Sequence, residues 1–197
     1  MKRLRLGVLG SGKGSNFASI LRAISAGDLA AEIVTVGSDK ADAGILRLAE
    51  EAGLPTFTIE EPRYRTRLST EVEVDLAERL AGVDLVVLAG YLRVIKAPLL
   101  DAFPRRIINV HPSLLPKYRG LAGWQQALTA GESVAGCTVH YVDAGVDTGE
   151  ILAQAEVPVL PEDTAETLHA RIQVAEHQLY PAVLQKLAEA ADGEGGQ

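Results

Sequence analysis

The chain has one cysteine, few aromatic residues, no long apolar run and no surplus of positive charge. A single cysteine, Cys137, excludes an intramolecular disulfide and cannot by itself build a zinc site. It sits in the apolar, strand-like run Cys137–Val142, where a buried and inert thiol is the ordinary outcome. Aromatic residues make up 5% of the 197, against 47% that are hydrophobic, so the core must be aliphatic. No stretch of about 18 consecutive apolar residues occurs, which excludes a membrane-spanning helix. Met1-Lys2-Arg3 has the charge of a secretory signal, but Gly10-Ser11-Gly12-Lys13-Gly14 breaks the following apolar stretch too early. With 26 acidic and 19 basic residues the formal net charge is −7, the wrong sign for a dedicated nucleic-acid binder. These absences leave the expectation of a cytoplasmic enzyme that acts on small molecules. An anionic substrate is compatible where local groups overcome the global field.

What is present is an alternation of strand and helix signals. Leu4–Leu9 reads as a strand and is followed by a glycine loop. Phe17, Ile20, Leu21 and Ile24 then fall at i, i+3, i+4 and i+7, which predicts an amphipathic helix ended at Gly27. Ile33–Val36 is a second strand. Ile45, Leu46, Leu48 and Ala49 mark a second helix closed by Gly53-Leu54-Pro55, and Thr56–Ile59 is a short strand. Residues 69–80 read as a helix. Val83–Ala89 is almost wholly apolar, as suits a strand covered on both faces. This order predicts an α/β fold, a mostly parallel twisted sheet of Rossmann-like kind with helices on both faces. In the second half a helix is expected near Leu121–Ala130. The strands Cys137–Val142 and Ile151–Val157 are too close in sequence for a parallel crossover, which predicts an antiparallel portion. Asp163-Thr164-Ala165-Glu166 resembles a capping box and starts a last helix that runs to about Leu187. One domain over residues 1–187 is expected, with 188–197 as a frayed, flexible tail.

Four segments carry chemistry. Asn109-Val110-His111-Pro112 leaves the strand begun by Ile107-Ile108. Asn109 and His111 share strand parity, so both side chains leave one face. An amide that can hold an oxyanion beside an imidazole that can move a proton suits acyl or formyl transfer; a capping Asn and a turn His are the plain alternative. The loop Gly10–Asn16 joins a strand to a helix and is a candidate cradle for a phosphate. Gly14 follows Lys13 where a magnesium-nucleotide loop needs Ser or Thr, and Ser15 stands where a dinucleotide fingerprint needs glycine. One terminal phosphate is therefore the expected ligand. Leu88–Ile95 also leaves a buried strand at its carboxyl end, where its backbone can read a flat heterocycle. Asp147, in a glycine-rich turn, is a candidate to favour the charged form of His111 if the two meet. His140 alternates with apolar neighbours and reads as structural, and His169 and His177 as surface residues. Gln173, Glu176 and Tyr180 share one stripe of the last helix, either a solvated face or a grip on sugar hydroxyls. Arg63-Tyr64-Arg65-Thr66-Arg67 is a basic patch, either solvated or an anchor for a substrate carboxylate.

Taken in order, Gly10–Asn16, Ser38–Gly44, Val87–Ile95, Asn109–Tyr118, Val139–Gly149 and Arg171–Pro181 resemble the glycinamide ribonucleotide transformylase family, the folate-dependent phosphoribosylglycinamide formyltransferases of purine synthesis. The likeness runs from Leu4 to about Leu184. It implies direct attack of the amine of glycinamide ribonucleotide on the formyl carbon of 10-formyltetrahydrofolate, a cosubstrate, with no metal. It also implies that Asn109, His111 and Asp147 form a catalytic trio in which Asp147 raises the pKa of His111. By the same likeness Gly14, Ser15, Asn16, Gln173 and Glu176 hold the ribonucleotide. Leu92, Arg93, Val94, Ile95, Asn109, Val142, Asp143, Ala144, Gly145, Val146 and Asp147 form the folate pocket, with Arg65 near the folate tail.

The chain departs from the family's pattern at Ala122-Gly123-Trp124, where polar or histidine residues are common, and at Asp39, where Asn is usual. Trp124 is expected either to cover the folate or to enter the core. A 10-formyltetrahydrofolate hydrolase, a methionyl-tRNA formyltransferase and a non-catalytic folate- or phosphate-binding module are the rivals. The first two carry additional regulatory or RNA-binding domains that are not expected here. A monomer or a homodimer, with no nucleic-acid or membrane partner, completes the expectation.

Overall fold

A computed structural model describes residues 3–61 and 63–194. The first half alternates β1 (Leu4–Leu9), α1 (Ser15–Ala26), β2 (Ala31–Ser38), α2 (Gly44–Glu51), β3 (Thr56–Thr58), α3 (Thr70–Arg79), β4 (Leu85–Leu88), α4 (Ala97–Ala102) and β5 (Ile107–His111). The second half holds α5 (Gly123–Thr129), β6 (Val134–Tyr141), β7 (Ile151–Pro158) and α6 (Ala165–Glu194). The strands form one sheet in the order β3-β2-β1-β4-β5-β6-β7. Pairs from β3 through β5 are parallel; β6–β7 is antiparallel, as the spacing predicts, and β5–β6 is antiparallel as well.

Alternation along the central strands builds two cores. In β4, Leu85 and Val87 enter the layer shared with Phe17 and Ile20 of α1 and Leu168 and Ile172 of α6. Val86 and Leu88 enter the opposite layer, with Leu76 of α3 and Leu99 of α4. A run with four buried residues in a row is what a strand covered on both faces requires. Tyr180 of α6 is wholly buried, and its hydroxyl lies 3.1 Å from both the Leu88 and Ile108 carbonyls. It therefore ties the last helix to the carboxyl ends of β4 and β5.

The strand order reverses direction at β1, which is flanked by β2 and β4. Connections leave to opposite sides there and open a crevice at the carboxyl ends. The loops after β1, β4 and β5 all open into it.

Two expectations change at α6. Its start is closed by a reciprocal pair, Thr167 N–H to Thr164 Oγ1 at 3.3 Å and Thr164 N–H to Thr167 Oγ1 at 3.0 Å. Thr164 is thus the cap and Thr167 its partner, not the Asp163–Glu166 pair expected. Asp163 instead holds Arg171 through contacts of 2.6 Å. The helix also continues to Glu194 rather than ending near Leu187, because Ala188 is still buried against the core. Of the expected tail, residues 195–197 lie outside the described residues. The short α4 was not anticipated. Among the described residues no helix is long and apolar enough to cross a membrane.

Candidate active site

A cavity of about 780 Å³ occupies the crevice. It is lined by Gly12–Asn16 after β1, Leu88–Ile95 after β4, Asn109–Pro112 at the end of β5, and residues of the 142–147 loop, α5 and α6.

Strand β5 runs past the core at its last residues. Ile107 is buried in the α3/α4 layer, and Asn109 and His111 follow on the same side by alternation. The antiparallel register sets His140 of β6 directly opposite Asn109. Asn109 Nδ2 lies 3.3 Å from His140 Nε2, and His140 Nδ1 lies 2.8 Å from the Tyr141 carbonyl. A carbonyl only accepts, so Nδ1 of His140 donates to Tyr141, and Nε2 faces both the Asn109 amide and Asp147. The second amide hydrogen remains for a ligand. His140, read from sequence as structural, is 2% exposed and lines the cavity between Asn109 and Asp147. Its place follows from the pairing register, which no local pattern records.

His111 Nε2 lies 2.9 Å from the Tyr118 carbonyl and Nδ1 lies 3.3 Å from Asp147 Oδ2. Asp147 adopts φ 51° and also accepts the Gly120 N–H at 2.8 Å and stands 3.6 Å from His140 Nε2. The trio predicted from sequence therefore converges. Its electrostatics differ from the expectation. Burial holds His111 below the ordinary histidine value and outweighs the Tyr118 carbonyl and the Asp147 charge, which both act to raise it. The 3.3 Å separation is longer than a charge-assisted N–H···O contact, commonly about 2.7–2.9 Å. Burial also acts to raise Asp147, but its contacts to His140, Gly120 and His111 prevail and keep it below the usual carboxylate range. The site thus sets a carboxylate beside an imidazole that burial holds below its ordinary value and that binds a proton more readily once negative charge develops nearby.

At the other end, Gly14 caps α1 with φ 82°, a left-handed conformation natural to glycine. A Cβ there would lie 2.8 Å from the Ile45 Cα, so the position is closed to side chains twice over. Ala18 N–H is bonded to the Gly14 carbonyl, and the Ser15, Asn16 and Phe17 amides precede it in the first turn, the usual setting for an anion. Asn16 Nδ2 donates to Glu176 Oε2 at 2.9 Å, while Asn16 Oδ1 is buried with no hydrogen-bond partner among the described residues. Burial pushes Glu176 up to about 7, against which the Asn16 bond acts only partly. Gln173 lines the same wall. The stripe Gln173, Glu176, Tyr180 is therefore an inward face, not a solvated one.

The 92–95 stretch lines the cavity, but the Leu92 amide donates to Ser11 Oγ at 2.9 Å and the Val94 amide to the Thr66 carbonyl at 2.9 Å. What it can offer a heterocycle lies among its remaining groups. The Arg93 side chain turns away and pairs with Asp39 at 2.8 Å, both largely buried, and bonds the carbonyls of Tyr64 and Arg67. The unusual Asp39 thus serves as counter-charge for Arg93. In the turn after β6, Val142, Asp143, Gly145, Val146 and Asp147 line the cavity and Ala144 does not. Asp143 Oδ1 organises that turn by accepting from the Gly145 amide and the Thr148 hydroxyl. Arg65 is exposed and outside the lining, to which its neighbour Thr66 contributes. Trp124 packs on the core, lines the cavity and stacks on His169, which is therefore not a free surface residue. Cys137 is buried, its thiol pushed up to about 12 by burial, as the sequence led one to expect of an inert thiol. Among the described residues no three His, Cys, Asp or Glu side chains are grouped to hold a metal ion.

Comparison with known proteins gives one consistent result. Residues 4–184 match the formyl transferase family. The trifunctional purine biosynthetic protein adenosine-3 of Drosophila pseudoobscura is 47% identical over 191 residues, which are 96% of this chain and 14% of that protein. The chain thus spans a small fraction of that relative. The phosphoribosylglycinamide formyltransferase of Haemophilus influenzae is 41% identical over 94% of this chain and 87% of its own length. Among solved structures, glycinamide ribonucleotide transformylase 1 from Symbiobacterium toebii superposes with a TM-score of 0.91 at 48% identity, covering 96% of this chain and 89% of that one.

Proposed function

The chain belongs to the formyl transferase family, and on that premise we propose that it moves the formyl group of 10-formyltetrahydrofolate onto the amine of glycinamide ribonucleotide, a step of purine synthesis. The observation that carries the reading is the meeting of Asn109, His111 and Asp147 in one cavity that also reaches the first turn of α1. The relatives named for this activity support it, being matched over nearly their full length.

In this reading the phosphate sits on the amides of Gly14, Ser15 and Asn16, where the helix end favours negative charge. Gln173 and Glu176 face the sugar, and the unpartnered Asn16 Oδ1 offers an acceptor to one of its hydroxyls. The pterin lies between the 92–95 stretch and the 142–147 turn. The amine nitrogen attacks the formyl carbon, a C–N bond forms, and the carbonyl electron pair moves onto oxygen. The free Asn109 amide hydrogen and the His111 ring face that oxyanion. The new negative charge raises the proton affinity of His111, which becomes an imidazolium held by Asp147. When the oxyanion collapses, the bond from carbon to the folate N10 breaks. The proton that His111 takes up is the one the attacking nitrogen loses, and the imidazolium hands it on to N10 through water, so charge and protons balance. Binding energy from the phosphate and the pterin holds the two reactants in attack geometry.

The test is to supply 10-formyltetrahydrofolate with and without the ribonucleotide. Tetrahydrofolate should appear only when the amine is present, together with formylated ribonucleotide. Formate release at the same rate with or without the amine would point to the hydrolase and overturn the proposal.

A further inference from the structure

Trp124 and His169 lie face to face at the cavity wall, ring centroids 3.8 Å apart and planes within 3° of parallel. Neither ring takes part in the chemistry above. Burial holds His169 below the ordinary histidine value, so near neutral pH the stack joins two uncharged aromatic faces.

The stack joins two parts of the site. Trp124 is the second residue of α5, and the connection from β5 to α5 carries two contacts of the trio. The Tyr118 carbonyl meets His111 Nε2 at 2.9 Å, and the Gly120 amide meets Asp147 Oδ2 at 2.8 Å. Tyr118 and Ala122 hold φ of 57° and 55°, which non-glycine residues keep only when their surroundings impose it. The start of α5 is seated hard against this connection: a Cβ on Gly123 would lie 2.9 Å from the Tyr118 carbonyl oxygen. On α6, His169, Gln173 and Glu176 follow at i, i+4 and i+7 and line the same cavity. The stripe thus reaches Trp124 through His169, and the seat of α5 adjoins Tyr118.

We infer that the Trp124–His169 stack is a positioning pair that couples occupancy of the ribonucleotide end of the cavity to the alignment of His111 and Asp147. The inference rests on the formyl-transfer reading. It assigns the pair to the chemical step and to the ribonucleotide, and not to folate binding.

The experiment compares Trp124→Ala, His169→Ala and Trp124→Phe with the wild type. The two alanine variants should lose about three- to tenfold in kcat and in kcat/KM for the ribonucleotide, the range expected for one aromatic pair. Their KM for 10-formyltetrahydrofolate should stay within about twofold. Trp124→Phe keeps an aromatic face and should recover most of the loss. Trp124 is the chain's only tryptophan, so its emission reports the stack. Ribonucleotide alone should shift that emission in the wild type and much less in His169→Ala. A Trp124→Ala protein with a lower Tm but unchanged kcat would make the pair merely structural and overturn the inference. So would an unchanged emission on ribonucleotide binding in a wild type that turns over normally. Absence of formyl transfer by the wild type would instead overturn the reading beneath it, and the inference with it.

Discussion

Two side chains with shifted protonation govern the site at the scale of single residues. His111 is held below its ordinary value by burial and becomes useful when negative charge appears beside it. Removing the ring by His111→Ala should lower kcat by about 10² to 10⁴, the range for loss of a proton carrier or oxyanion donor. Asp147→Asn keeps the shape but removes the charge that holds the imidazolium, and should cost about 10² in kcat. Folate affinity should change little in either, because the pterin walls remain; near-normal turnover in either variant would falsify the catalytic assignment. Glu176 is shifted the other way, from 4.5 to about 7. A raised carboxyl binds its proton more tightly in the folded state. The stability this contributes is complete below about pH 4.5 and is lost as the pH rises through about 7. The full shift corresponds to about 3 kcal/mol. Glu176→Gln cannot titrate, so its urea stability should fall less between pH 5 and 7.5 than that of the wild type. Parallel curves for the two proteins would refute the shift. These protonation states depend on burial and neighbours brought from distant sequence, which is why Asp147 was expected to dominate His111 and does not.

Elements hold these residues in place through their ends. The α1 start works because Gly14 combines φ 82° with the close approach of α2 at Ile45. Gly14→Val should therefore strain the turn, clash with α2 and shift the amides of the anion site. The expected result is a rise in ribonucleotide KM of tenfold or more with a folate KM changed by less than about threefold; equal rises would count against a phosphate at this turn. The glycine loop was legible as sequence because a strand-to-helix turn with three glycines is a local pattern. The start of α6 was legible only roughly. Its Thr-rich opening offers several capping partners, and Thr167 supplies the reciprocal bond because Asp163 is drawn to Arg171. The length of α6 was misjudged for a similar reason. The Gly- and Glu-rich end reads as solvated, yet Ala188 still packs on the core and carries the helix on.

For the molecule as a whole, segments from both halves of the chain line one cavity. Ribonucleotide should bind α1 and α6 at once, so it should stabilise the folded protein as a unit. At a hundred times Kd the gain is about 2.7 kcal/mol, a rise in Tm on the order of 5–10 °C at this size. A differential scan with and without ribonucleotide checks this, and no shift at saturating ligand would exclude a site shared by the two helices. The sequence by itself determined the α/β class, the antiparallel pairing of the last two strands and the shared face of Asn109 and His111, while Asp147 joined them only through the family likeness. The class, the pairing and the shared face are set by hydrophobic period, connection length and a contiguous motif, which are short-range properties of the chain. Only the tertiary structure decided that His140 bridges Asn109 and Asp147, that Tyr180 clamps two strand ends, that Asp39 neutralises Arg93 and that Trp124 meets His169. Each is a contact between residues far apart in sequence. Pairing register and the packing of helix on sheet select them, and burial then sets the charge they carry.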